Sequence, residues 1–248
     1  VAGKGGLNGE AMMQITNGEH KARPEGLAER IYLQLKADIF EFRLLPGDRF
    51  SESEVAQRMA ASRTPVRQAL FRLEREGYVE VLFRSGWQVR PFDFAYFEEL
   101  YDLRIVLEQE AVKRLCERPA GETPGALAAL SRFWAEAPHL ADGKAVSQHD
   151  EQFHQALVAA AGNGEMARIH RELTEKIRII RRLDFTQQAR VDATYREHAA
   201  ILQAILQRQS GAAQTLLGEH IAVSKAEVRK ITLHMLHQAR AQQPVRSA

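Results

Sequence analysis

Residues 45–89 read LPGDRFSESEVAQRMAASRTPVRQALFRLEREGYVEVLFRSGWQV, and the order of signals in that stretch decides the fold. Leu45-Pro46-Gly47-Asp48 is a turn. Ser51 followed three residues later by Glu54 has the capping-box spacing, which predicts a helix with Val55 and Met59 on its buried side. Ala61-Ser62-Arg63 forms a tight connection. Thr64-Pro65 opens the next helix, with proline at the first helical position. Val66, Ala69, Leu70 and Leu73 fall at i, i+3, i+4 and i+7 and face a core. That rotation leaves Thr64, Arg67, Gln68 and Arg75 on the opposite side. Gly77 ends the helix as a C-cap would. Tyr78–Leu82 and Trp87–Val89 then read as two short strands joined around Arg84-Ser85-Gly86.

Working outward, Ile31, Leu35 and Ile39 recur every four residues and predict an amphipathic helix over about 27–42. Residues 25–90 thus read as a winged helix-turn-helix with the helix-turn-helix at about 52–71. Pro91-Phe92-Asp93 is a linker. Beyond it the pattern is helical, with six helices expected at 94–117, 124–137, 144–161, 164–184, 188–209 and 211–236. The Gly-rich residues 1–24 read as a disordered leader and 237–248 as a fraying tail. The fold class expected is mostly α: a winged helix-turn-helix with a small β-hairpin wing, then an all-α six-helix bundle over 94–236.

Length and composition, 248 residues with 45% hydrophobic and 27% charged, allow one large domain or two modest ones. No run approaches the roughly 20 apolar residues of a membrane span. No basic-then-apolar leader opens the chain, so a cytoplasmic location is expected. The single cysteine, Cys116, excludes an internal disulfide framework and a Cys-based zinc cluster. The net charge of +2 hides a local concentration. Arg58, Arg63, Arg67, Arg72 and Arg75 fall close together, opposed only by Glu74, and a helix can turn part of that cluster outward as a basic face.

This N-terminal stretch resembles the DNA-binding domain of GntR-type bacterial transcription regulators. Pro46-Gly47, Glu52, Ser62-Arg63-Thr64-Pro65-Val66-Arg67 and Gly77-Tyr78-Val79-Glu80 carry the likeness. The resemblance implies that Arg67 and the Arg63-Thr64 pair contact operator DNA and that Gly86 approaches the minor groove. The chemistry agrees, since a recognition helix sets its N-terminal residues against base edges and arginine matches guanine with two bonds. The hydroxyls of Ser62 and Thr64, with free N–H groups at the helix start, suit phosphate. Ser53 stands where some relatives carry a DNA-contacting arginine. Phe71 is turned outward where relatives are polar, against a partner domain or a thymine methyl.

The helical half holds a second constellation. Asp150 and His154 are four apart on one helix face. His198 follows Tyr195 and precedes Leu202, and His220 follows Leu216 and Leu217. Three histidines and an aspartate therefore point inward from three helices, and a bundle interior is where metal sites of this kind are built. Taken singly, each histidine reads better as a hydrogen-bonded core or surface residue than as a ligand. His20, His139, His149, His170, His234 and His237 are read that way. Glu151, Glu197 and Glu219 adjoin these residues, but a helix turns adjacent side chains about 100° away.

As a set, Asp102-Leu103-Arg104-(x)2-Leu107-Glu108, Asp150-(x)2-Phe153-His154, Glu197-His198-(x)2-Ile201 and Glu219-His220-Ile221 resemble the ligand-sensing FCD domain of the FadR branch. Six helices resemble its VanR-like subgroup. The resemblance implies Asp150, His154, His198 and His220 as ligands of a divalent transition metal. Carboxylate and imidazole donors suit Zn, Ni, Mn or Fe. It also implies Arg104 as a binder of an anionic effector, with Arg178 as a second candidate. Arg104 has a rival role as an i,i+4 ion pair with Glu108.

The function expected is a DNA-binding transcription regulator, read as a repressor. A small organic acid in the metal-bearing domain would alter how two winged helices of a homodimer meet double-stranded operator DNA. Two other readings stand beside it. One is a metalloenzyme with a DNA-tethering domain, although no nucleophile elbow, phosphate loop or HExxH helix appears. The other is a regulator with a structural metal and no effector.

Overall fold

The computed structural model describes residues 26–228 and 230, apart from 120, 123, 141, 186 and 187. The expected leader, the tail, the end of the last helix, and His20, His234 and His237 lie outside the described residues.

The N-terminal unit comprises α1 (Leu27–Phe40), β1 (Arg49–Phe50), α2 (Glu52–Arg58), α3 (Arg63–Arg75), β2 (Val79–Leu82) and β3 (Gly86–Val89). The expected capping box forms: Ser51 Oγ accepts from the Glu54 amide at 3.1 Å, and Glu54 accepts from the Ser51 amide at 2.6 Å. The recognition helix α3 begins at Arg63 with Ser62 as N-cap, so Pro65 is its third residue rather than its first. Proline is tolerated there because first-turn N–H groups have no intrahelical acceptor. Val66, Ala69, Leu70 and Leu73 are buried, as their spacing predicts.

The wing has one strand more than expected. β1 pairs antiparallel with β3, Arg49 opposite Gln88 and Phe50 opposite Trp87, so the sheet order is β1-β3-β2. A two-residue strand carries no alternation for a sequence to show. This pairing also explains Gly86. Its φ is +85°, and a Cβ there would stand 2.7 Å from the Phe50 carbonyl oxygen, so the sheet itself demands glycine.

The C-terminal unit comprises α4 (Phe94–Glu117), α5 (Gly125–Ser131), α6 (Gly143–Ala160), α7 (Gly164–Asp184), α8 (Gln188–Leu206) and α9 (Ser210–Val228). Side-chain caps start three of these: Asp93 for α4, Asp142 for α6 and Asn163 for α7. The single helix expected over 124–137 instead passes from α5 into a π-helical turn, Arg132–Glu136. That widened turn buries Trp134 and sets its ring edge-on to His198 at 4.2 Å. π-Bulges of this kind often accompany functional sites.

One apolar core runs through both units, from Leu35, Leu70 and Trp87 to Phe153, Ile177 and Leu217. α7 meets α1 at the join. There the Lys36 ammonium lies 2.5 Å from Glu175 on α7 and 3.0 Å from Glu76 at the end of α3.

Candidate metal centre and nucleic-acid interface

Asp150 and His154 on α6, His198 on α8 and His220 on α9 converge in the bundle interior. All four are buried, and one ligand atom from each lies within 4.8 Å of the others. His154 Nε2 is 3.2 Å and His198 Nε2 3.3 Å from His220 Nε2. Asp150 Oδ1 stands 3.5, 3.2 and 3.8 Å from Nε2 of His154, His198 and His220. Donors bound to a common ion at about 2.0–2.1 Å would stand roughly 3.4 Å apart in a tetrahedron. The separations fit.

Protonation fits as well. His154 Nδ1 lies 2.5 Å from Glu108 Oε2, and His220 Nδ1 lies 2.6 Å from Glu197 Oε2. Each carboxylate accepts a proton-bearing Nδ1, which turns the Nε2 lone pair inward, the arrangement that orients metal-bound histidines. Burial pushes all three imidazoles down, His154 to about 4 and His198 and His220 well below the usual range. At neutral pH the site therefore presents three neutral imidazoles, with the Asp150 side chain among them. Lone pairs facing each other at 3.2 Å repel unless a cation lies between them, which is the chemistry of a metal cage.

A second layer of charge surrounds the cage. Burial would raise the Glu108 pKa, but His154 and Arg104, with bonds from His154 and His170, hold its carboxyl well below the usual range. Arg104 Nε donates to Glu108 Oε1 at 2.7 Å, and His170 Nε2 donates to the same oxygen at 2.9 Å. The i,i+4 pair is thus present, yet Arg104 Nη2 has no hydrogen-bond partner although the residue is buried. Thr174 Oγ1, one turn along α7 from His170, is buried and unpartnered too. Arg181 pairs with the outer oxygen of Asp150.

Arg178 lies elsewhere. It is held by Glu151 at 2.6 Å and Glu175 at 2.6 Å, and it sits over the Phe40 ring of α1. The structure does not bring it together with Arg104. His170 is a buried, hydrogen-bonded residue as its sequence reading has it, and its partner is the Glu108 carboxylate behind the cage. Glu197 does turn away from His198, but α9 passes on that side and supplies His220. His170 had no motif to mark it, whereas Glu108 lay in the Asp102–Glu108 motif as a salt-bridge partner. His139 stacks on Tyr195, and His149 lies tilted against Phe133.

In the N-terminal unit, Ser62, Arg63, Thr64 and Arg67 share the exposed start of α3. Ser62 Oγ makes no capping bond and is left outward. Arg67 donates two bonds to Glu52 of α2, at 3.0 and 2.8 Å, and Arg63 donates to Ser53 at 2.8 Å. Phe71 packs edge-on against Trp87 of β3, 5.6 Å between centroids. Gly86 lies at the foot of the wing loop, beside β1.

Comparisons with known proteins agree with both halves. Residues 27–89 match the family described as bacterial regulatory proteins, gntR family, and residues 99–223 match the FCD domain. The chain is 31% identical over 176 residues to the Nta operon transcriptional regulator of Aminobacter aminovorans, covering 71% of this chain and 82% of that one. It is 25% identical over 207 residues to the transcriptional repressor RspR of Escherichia coli, covering 82% and 89%. A crystal structure of a GntR transcriptional regulator from Rhodococcus sp. RHA1 superposes with a TM-score of 0.66 at 22% identity, covering 83% of this chain and 98% of that one. These relatives are transcription regulators, so the metalloenzyme reading falls. No described helix is long and apolar enough to cross a membrane. Winged helix, buried cage and sequence relationship together place the chain in the GntR family, as a DNA-binding transcription regulator whose C-terminal half is an FCD domain.

Proposed function

We propose that this regulator is a repressor that works as a homodimer, holds a divalent metal on Asp150, His154, His198 and His220, and releases or tightens on operator DNA when a small organic acid enters the same domain. The observation that carries the reading is the pairing of a buried cage of three imidazoles and an aspartate with buried, unpartnered polar atoms beside it. Arg104 Nη2 is a cation's donor with no acceptor, and a buried donor left unpaired is costly. A carboxylate that approaches the metal as a further ligand and bonds Arg104 and Thr174 would satisfy these groups at once. Zn, Ni, Mn and Fe all suit the donor set. When bound, the metal supplies a positive centre for an anionic effector. Arg104 orients the acid, and Glu108 and Glu197 keep the imidazole protons on Nδ1.

α7 supplies the route to the DNA-binding unit. Along this one helix, Arg181 pairs with Asp150 of the cage, Arg178 pairs with Glu151, and Glu175 reaches Lys36 of α1. An effector that prefers one placement of α7 biases the winged helix, and only a difference in affinity between the two placements can do so. Ser62, Arg63, Thr64 and Arg67 then meet the major groove, and Gly86 the edge of the minor groove. RspR of Escherichia coli is named a repressor, which supports that direction here.

The test is a thermal-shift screen of metal-loaded protein against small carboxylates, followed by DNA titration with each hit. A ligand at 100 times its Kd stabilises the fold by about 2.7 kcal/mol. A metal-dependent hit that also shifts DNA affinity is expected. No hit, with chelation alone collapsing the transition, would replace this reading with that of a structural metal.

A further inference from the structure

The wing carries an apolar side chain that the fold does not use. Among the described residues, three of the four most exposed large hydrophobic side chains are Phe83 at 83%, Val81 at 50% and Phe71 at 47%. All three belong to the recognition helix or the wing. Phe71 on α3 packs on Trp87 of β3, and Trp87 pairs across the sheet with Val81 of β2. The hairpin then closes over Phe83-Arg84-Ser85, with the Ser85 amide bonded to the Leu82 carbonyl at 2.9 Å. Arg84 is in the left-handed region at φ 55° and lays its guanidinium 5.0 Å from the Phe83 ring centre. An apolar ridge therefore runs from the recognition helix toward the wing tip, which presents a phenyl ring and a cation on a closed turn.

Charge decides what such a ridge meets. Arg84 is the only ionisable residue between Val81 and Gly86, and the neighbouring α3 face carries Arg63, Arg67 and Arg75. Glu52 is already committed to Arg67 and Glu80 to Arg90. An apolar tip set in a basic surface complements a polyanion with apolar bases inside it. With α3 in the major groove, the attached hairpin reaches across the flanking backbone to the minor groove. Apolar side chains entering that groove part a base step and bend the duplex, while arginine beside them favours narrow A·T-rich stretches.

We propose that Phe83 is a wedge that enters the minor groove of bound DNA and unstacks one base step in each half-site, with Arg84 beside it as the cation that selects A·T-rich flanks. Specificity then extends beyond the bases that α3 touches, to steps that part readily. The inference rests on α3 lying in the major groove.

The experiment uses a duplex that the wild-type chain selects from a random-sequence pool, with 2-aminopurine placed at successive flanking positions. Binding of wild-type protein is expected to raise fluorescence at one step per half-site. Phe83→Ala is expected to abolish that rise and weaken binding about tenfold per half-site, the scale of losing one ring–base stack in each. Phe83→Leu, which keeps an apolar wedge, is expected to retain most of it. The dependence of affinity on salt stays unchanged in both variants, since no phosphate contact is lost. At this exposure neither change should alter the Tm.

Equal affinity and equal fluorescence for wild type and Phe83→Ala would overturn the wedge and leave the ridge to a protein partner. Weaker binding without any fluorescence change in the wild type would overturn it too, as contact without unstacking. Arg67→Ala separates the underlying assumption: if that variant selects and binds the same duplex normally, the placement of α3 is at fault, and the wedge falls with it.

Discussion

Glu108 Oε2 lies 2.5 Å from Nδ1 of His154, and its other oxygen accepts from both Arg104 and His170. One buried carboxylate on α4 therefore fixes the tautomer of a cage histidine on α6 and neutralises the arginine expected to greet an effector. Glu108→Gln is expected to lower metal affinity about 10- to 100-fold, the usual effect of removing a carboxylate behind a ligating histidine. It also leaves Arg104 buried without its charge partner, at a cost of about 3–5 kcal/mol. Elemental analysis after dialysis against a graded chelator reads the first effect, and denaturant unfolding the second. Unchanged metal retention would remove Glu108 from the site.

His198 stacks flat on Phe153, 3.7 Å between ring centres, so its removal damages packing as well as ligation. His198→Gln is the cleaner variant. Its bound metal should fall, and the gap in Tm between metal-loaded and chelated protein should shrink toward zero. Equal metal content in variant and wild type would argue against a ligand role.

Acid should destabilise the chelated protein well above the carboxylate range. Burial, with the charge of Arg104 and against the pull of Glu108, lowers folded His154 to about 4, whereas an unfolded imidazole titrates near ~6.5. Between those values the unfolded chain binds a proton that the folded chain refuses. Stability is therefore lost as pH falls from about 6.5 to about 4. His198 and His220 shift the same way. The depressed carboxyls of Glu108 and Glu197 act with the same sign: their stabilisation is present above the ordinary carboxyl pKa and lost as pH falls through the lowered value. A Tm that holds level between about pH 7.5 and about pH 5 would contradict this, since the three histidines predict a fall across that range and the two carboxyls add theirs only below it.

Arg67 is exposed and, among the described residues, is held by Glu52. Arg67→Ala should weaken DNA binding about 10- to 100-fold and relax specificity at one base pair, while the Tm stays level. Glu52→Gln loosens the restraint on Arg67 and should alter DNA affinity far less than loss of the guanidinium. A titration at fixed salt compares the two. Equal affinities for wild type and Arg67→Ala would remove Arg67 from the interface.

Glu175→Gln should uncouple the two units. It breaks the 2.5 Å contact with Lys36 and one of the two partners of Arg178, without touching the cage or α3. DNA affinity in the absence of effector and metal content are expected to stay near wild type. The fold-change in DNA affinity on adding an active carboxylate should shrink. A full response in Glu175→Gln would show that coupling runs by another route.

Much of this was legible in the chain because it is written locally. The capping box at Ser51-Glu54, the buried spacing of Val66 to Leu73, and the glycine after α3 each act within a few residues, and each formed where expected. The cage was legible for a related reason. Asp150 and His154 share a helix face by spacing, and His198 and His220 interrupt apolar stripes. The misses share one cause. β1 is defined by a partner nearly 40 residues away, and the π-helical turn at Trp134 by the rings around it. Glu197 was set aside because its own helix turns it from His198, although another helix meets it there.

Residue order by itself thus determined most of the helices, the β-hairpin and the inward faces that carry Asp150, His154, His198 and His220, since periodicity, capping and turn chemistry depend on neighbours in sequence. Tertiary structure alone decided which carboxylate stands behind which histidine, which arginine atom is left without a partner, that Arg178 faces the DNA-binding unit rather than the cage, and that Phe83 stays uncovered. Each of these depends on where a second element passes, and burial and charge pairing settle that only when the helices pack.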